Sequence, residues 1–134
     1  MNHPAPLHAD AVKADSGSSY PEPFRSRMGQ ASWRALADHF GIMQFGFNLE
    51  TLQPGAQSSV RHWHTLSDMC VGFKAGDRNA HRLVNRSALE ARFIVVGTRV
   101  PGDTAFYPDD DLAWFRTEIG RVAVHKDGTP YPRG

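Results

Sequence analysis

The sequence predicts a small all-β domain, and three observations carry that reading. The chain has 134 residues, enough for one domain with a core that needs no disulfide or structural metal. Glycine (12) and proline (9) are frequent but unperiodic, which marks many turns between short elements. From Met43 apolar residues recur with period two, and Phe93-Ile94-Val95-Val96-Gly97 is a continuous, β-branched run.

Residues 1–19 read as a flexible arm of Pro, Ala, Asp, Ser and Gly, with His3 and His8 as solvated bystanders. Tyr20-Pro21-Glu22-Pro23-Phe24 is a stiff strap whose two aromatic rings should dock on the body, opening a single domain over 20–131. Ser32 to Phe40 carries Trp33, Leu36, Ala37 and Phe40 at helical spacing, with Ser32 to cap and Gly41 to stop a short helix. Phe45, Phe47 and Leu49 then share one face of a strand and are expected to point inward. Pro54-Gly55 is a turn. Ser59–Thr65 and Met69–Phe73 are the next strand candidates, and His81 to Asn85 alternates again. The run at 93–97 suggests a strand buried on both faces, or one between two sheets. Pro108-Asp109-Asp110-Asp111 reads as a solvated loop before two short strands at 113–116 and 121–125.

Composition excludes several classes. Fifteen Lys and Arg against 14 Asp and Glu leave a net charge of +1, no electrostatic case for nucleic acid or an acidic membrane. The single cysteine, Cys70, excludes a disulfide framework and a Cys-rich zinc site; in its apolar run it reads as an inert thiol. No apolar run is long enough for a membrane span or a signal-peptide core, so a cytoplasmic protein is expected.

The chemistry concentrates at His62-Trp63-His64 and His81. Histidines at i and i+2 of a strand share a face with their Cβ atoms about 6.5–7 Å apart. That lets two ring nitrogens converge on one cation at about 2.0–2.1 Å each. A solvent-facing polar pair is the alternative. Trp63 alternates away and reads as packing, as does His125, while His39 suits a helix end. The three consecutive aspartates lack the calcium-loop pattern.

Gly55-Ala56-Gln57-Ser58-Ser59-Val60-Arg61-His62-Trp63-His64 resembles the first cupin motif, taken here as 55–68. Gly72-Phe73-Lys74-Ala75-Gly76-Asp77-Arg78-Asn79-Ala80-His81-Arg82-Leu83-Val84-Asn85 resembles the second, 72–85. The Tyr-Pro-Glu-Pro-Phe strap, Phe45 to Leu49, His81 to Thr98 and Tyr107 to Leu112 are also similar to a small bacterial cupin. The resemblance implies a jelly-roll barrel in which His62, His64 and His81 bind a divalent metal (Zn, Fe, Ni or Mn), with Asn85 second-shell or structural.

The sequence departs from the cupin pattern at the glutamate ligand, where Asp68 and Met69 stand, and at the second-motif proline, replaced by Lys74. Asp68 is left as a possible fourth ligand and the nearest general base. The two motifs also run together at Asp68–Met69, as if a stretch on the order of 25 residues were deleted, making the jelly roll incomplete. Loss of the carboxylate should weaken Mn(II) more than Zn, Ni or Cu. The resemblance implies a metal-dependent enzyme (isomerase, dioxygenase or decarboxylase) acting on a small polar metabolite or sugar. The alternative is a non-catalytic small-molecule binder or a degenerate family member. Strand edges opened by the deletion should pair with a second copy, giving a homodimer.

Overall fold

In a computed structural model, which describes residues 6–64, 76–118 and 120–132, two antiparallel four-stranded sheets face each other across a cavity. The first sheet has the order β1 (Asp15–Ser16), β2 (Ala31–Ala35), β3 (Phe45–Leu52) and β5 (Ala91–Thr98). The second has β4 (Trp63–His64), β6 (Thr104–Tyr107), β7 (Leu112–Thr117) and β8 (Gly120–Val124). One turn of α-helix, α1 (Leu36–His39), follows β2. Among the described residues no helix is long and apolar enough to cross a membrane.

The expected helix over 32–40 is thus mostly strand. Ser32, Trp33, Arg34 and Ala35 pair with Thr51, Glu50, Leu49 and Asn48, and only the last turn winds. Nine residues of helix gain little by themselves, whereas a strand beside β3 satisfies its backbone along its length.

The faces of the first sheet are the reverse of the sequence expectation. Asn48 and Glu50 of β3 line the cavity, Glu50 with its ladder partners Trp33 and Phe93 and Asn48 with Val95. Phe45, Phe47 and Leu49 therefore lie on the outer face with Ile94, Val96 and Arg34. Nor is β5 buried on both sides, since Ile94 is 57% exposed. Alternation fixes which residues share a face, but an amphipathic strand bordering a polar cavity has the same pattern as one bordering solvent.

Within the segment expected as a flexible arm, residues 9–11 form a 3₁₀ turn and β1 pairs with β2. Val12 is buried, and the outer-face arginines hold this segment: Arg34 donates to the Val12 carbonyl (2.6 Å) and Arg92 to Asp10 (2.6 Å). The strap docks as expected. Phe24 is buried with Met28, Val60, Ala105, Tyr107 and Leu112, and Tyr20 packs against that cluster. Gly29 follows at φ +72°, and its missing side chain lets the chain cross Ala56, whose Cα would lie 3.0 Å from an added Cβ.

Between the sheets, most of the described part of Ser59–Thr65, which ends at His64, and His81–Asn85 is not regular strand. Single bridges join Gln57 to Val84 and His62 to His81, and among these described residues only Trp63 and His64 enter a sheet. The Met69–Phe73 strand candidate, Cys70 and the Asp68–Met69 junction lie outside the described residues. The aspartate loop is anchored rather than merely solvated. Asp109 pairs with Arg61 (2.9 Å), Asp110 with Arg27 (2.5 Å), and Asp111 with His125 (2.8 Å). His125 in turn stacks on Tyr131, and Trp63 stacks on Phe106 away from the cavity histidines.

Candidate functional site

His62 and His81 are brought together by their own backbones. Each accepts the other's amide hydrogen bond, at 3.2 and 2.9 Å, and the imidazole centroids lie 5.5 Å apart with planes inclined by 36°. Both rings are oriented through Nδ1, His62 toward the Val60 carbonyl (2.8 Å) and His81 toward the Asn79 carbonyl (3.1 Å). A carbonyl only accepts, so Nδ1 carries a proton, and in the neutral ring the lone pair is then on Nε2. This is the arrangement by which backbone carbonyls fix metal-ligating imidazoles. Tyr107 stacks on the His62 ring at 5.0 Å and closes that side.

The third expected ligand, His64, lies in β4 with its backbone opposite Ala105. Its side chain and the whole of Asp68 lie outside the described residues. Among the described residues no three His, Cys, Asp or Glu side chains gather as a metal cluster. Asn85 is a brace for the chain beside the site. Its amide donates to the Leu52 and Leu89 carbonyls (both 2.8 Å), and its carbonyl accepts from Ser87 N (3.1 Å) and Oγ (2.8 Å). Two donors and two lone pairs are then used, leaving none for a histidine ring.

The histidines open into a cavity of about 480 Å³. Sequence reasoning missed most of its polar wall. Glu50 lines it from β3, and burial pushes its carboxyl above the ordinary value, partly opposed by Asn48. Tyr20 and Tyr107 line it with their hydroxyls 2.9 Å apart. Burial raises both phenols, Tyr107 well above its ordinary value, so both keep their protons at neutral pH. Trp33, Phe93 and Trp114 supply apolar surface. The signal for Glu50 was its polar side chain alternating with aromatics, which reads equally well as a solvent face.

Two facing antiparallel sheets, with paired histidines and a buried carboxyl around a ligand-sized cavity, define a cupin-like small-molecule site. The chain belongs to the cupin superfamily. It is 36% identical to a sugar phosphate isomerase of that superfamily from Silicibacter pomeroyi, with a TM-score of 0.85 over 96% of this chain and 97% of that one. It shares the fold of a protein provisionally named a sugar phosphate isomerase from Acidithiobacillus ferrooxidans, at 19% identity and a TM-score of 0.64 over 79% and 83% of the two chains. No family model and no curated protein matches the chain.

Proposed function

We propose that this chain is a sugar phosphate isomerase whose proton-transfer group is Glu50. The observation that carries the reading is a carboxyl raised by burial in the wall of the cavity that His62 and His81 enter. Isomerisation of an aldose to a ketose moves one proton from C2 to C1 and a second from the C2 hydroxyl to the carbonyl oxygen. One carboxylate can carry the first, taking it from C2 and returning it to C1, while the second passes between the two sugar oxygens. A carboxyl raised toward the working pH suits that double duty. The name borne by the 36% identical relative supports the same substrate class.

His62, His64 and His81 would hold a divalent ion, and the donor set fits zinc, iron or nickel better than manganese. When bound, such an ion supplies Lewis-acid polarisation of the sugar carbonyl. Tyr20 and Tyr107 orient the substrate: one hydroxyl proton is consumed between them, and the other can be donated to a sugar oxygen. The apolar wall keeps bulk water from the carbon being deprotonated. Cys70, the only cysteine, fits a reducing cytoplasmic compartment. The outer face of Phe45, Phe47, Leu49 and Ile94 is the surface through which two copies would form a homodimer.

Purified protein should contain a stoichiometric transition metal that His62→Ala, His64→Ala and His81→Ala each remove. It should interconvert an aldose phosphate and its ketose phosphate. Binding of the sugar phosphate without interconversion would establish a non-catalytic module and overturn the enzyme reading.

A further inference from the structure

Arg116 and Arg121 are directly opposite one another on β7 and β8, and both line the cavity. Like charges placed opposite on one sheet face repel, so this pair works against the stability of its own hairpin. Arg27, Arg34, Arg61, Arg92 and Arg99 each pair with an aspartate, whereas among the described residues neither Arg116 nor Arg121 does. Burial disfavours the Arg116 cation, and Arg121 and Arg99 repel it; among the described residues Asp103 is the acid that favours it. Among the described residues, one carboxylate against two facing guanidiniums leaves an excess of positive charge on this wall of the cavity. Planar guanidiniums bind phosphate oxygens through paired N–H donors.

We infer that Arg116 and Arg121 form a clamp for the phosphate of the substrate in the β7–β8 wall of the cavity, one row of side chains beyond Trp114. The ladder gives the spacing. Tyr107 pairs with Leu112, Ala105 with Trp114 and Trp114 with Ala123, so the Arg116–Arg121 row lies one row beyond Trp114 and two beyond Leu112. Four residues of strand separate the Tyr107 row from the arginine row, about 13 Å of backbone. The positive charge of Arg121 reaches the Tyr20 and Tyr107 hydroxyls across that interval, so one sugar phosphate can meet the tyrosines and the clamp together. The assignment of the bound anion to the substrate's phosphate rests on the proposed isomerase reading; the anion clamp itself does not.

Inorganic phosphate is the probe, titrated calorimetrically and in thermal melts, so that no turnover is needed. Wild-type protein is expected to bind it and to melt at a higher temperature when it is added. Arg121→Gln and Arg116→Gln should each weaken binding at least tenfold. Arg121→Gln, at the more exposed position, should melt at or above the wild-type temperature without phosphate, because it removes a like-charge opposition. Arg86→Gln, an exposed arginine outside the cavity lining, should bind as wild type does. Undetectable binding by the wild type, or equal binding by Arg121→Gln, would overturn the clamp even if the protein isomerises sugars. Loss of binding in both variants from a protein with no isomerase activity would keep the clamp and remove the isomerase reading.

Discussion

The hydroxyls of Tyr20 and Tyr107 meet at 2.9 Å, with their rings edge to face at 5.8 Å. This contact ties the strap to β6, and Tyr107 carries it on to the stacked ring of His62. The strap is thus part of the wall that holds the candidate catalytic cavity, as well as a cover for the core.

Tyr20→Phe should destabilise the protein by about 1–3 kcal/mol, the cost of leaving the buried Tyr107 hydroxyl without this partner. The Tyr20→Phe, Tyr107→Phe double variant should lose less than the sum of the two single changes, because both partners then go together. Phe24→Ala should cost about 3–5 kcal/mol, since that ring lies in the buried cluster. Urea denaturation of the wild type and the four variants measures all of these values.

Glu50 predicts a pH dependence of definite sign. Its folded pKa is raised by burial above the unfolded value of about 4.3. Below the unfolded value the carboxyl is protonated in both states and carries no charge penalty. As pH rises through the folded value, the native state must hold an ion against the cavity wall, and that stability is lost. Glu50→Gln should therefore be more stable than wild type at neutral pH. The difference should shrink as pH falls below the usual carboxylate range, in melts collected from acid to neutral conditions.

Asn85→Ala removes four hydrogen bonds made by one buried side chain and strands the Leu52 carbonyl. The expected loss is more than about 2 kcal/mol. Because none of those bonds reaches a histidine, metal content per folded molecule should be unchanged. A variant of normal stability that loses metal would instead place Asn85 behind the ligands.

The β class, the docked strap and the pairing of His62 with His81 were legible because each has a local cause. Alternation reports a strand, Pro-flanked aromatics report an extended docking segment, and the motif residues fixed the histidines. The polar half of β3 was not legible. Asn48 and Glu50 have the pattern of an outer face, and only the ladder with Trp33 and Phe93 shows that they turn inward. The arginine pair was equally hidden, because Arg116 and Arg121 become opposite only through the β7–β8 turn. The helix expected from Ser32 to Phe40 formed only over Leu36–His39 because tertiary pairing outweighs a weak local preference.

The outer face is also open to a direct check. Phe45 and Ile94 are 39% and 57% exposed on the side of β3 and β5 away from the cavity. Sedimentation should show a dimer, and the Phe45→Glu, Ile94→Lys double variant should sediment as a folded monomer. A wild-type protein that remains a monomer across the concentration series contradicts the homodimer.

The most direct measurement follows the proton itself. An aldose phosphate is incubated with the metal-loaded protein in deuterated water, and the carbon beside the carbonyl is followed by NMR. Wild-type protein should exchange that hydrogen for deuterium while forming the ketose phosphate, and Glu50→Gln should slow both processes at least a hundredfold with its fold and metal content intact. Undiminished exchange in Glu50→Gln, or binding of the sugar phosphate by wild type with no exchange, would contradict the assignment of Glu50 as the proton-transfer group.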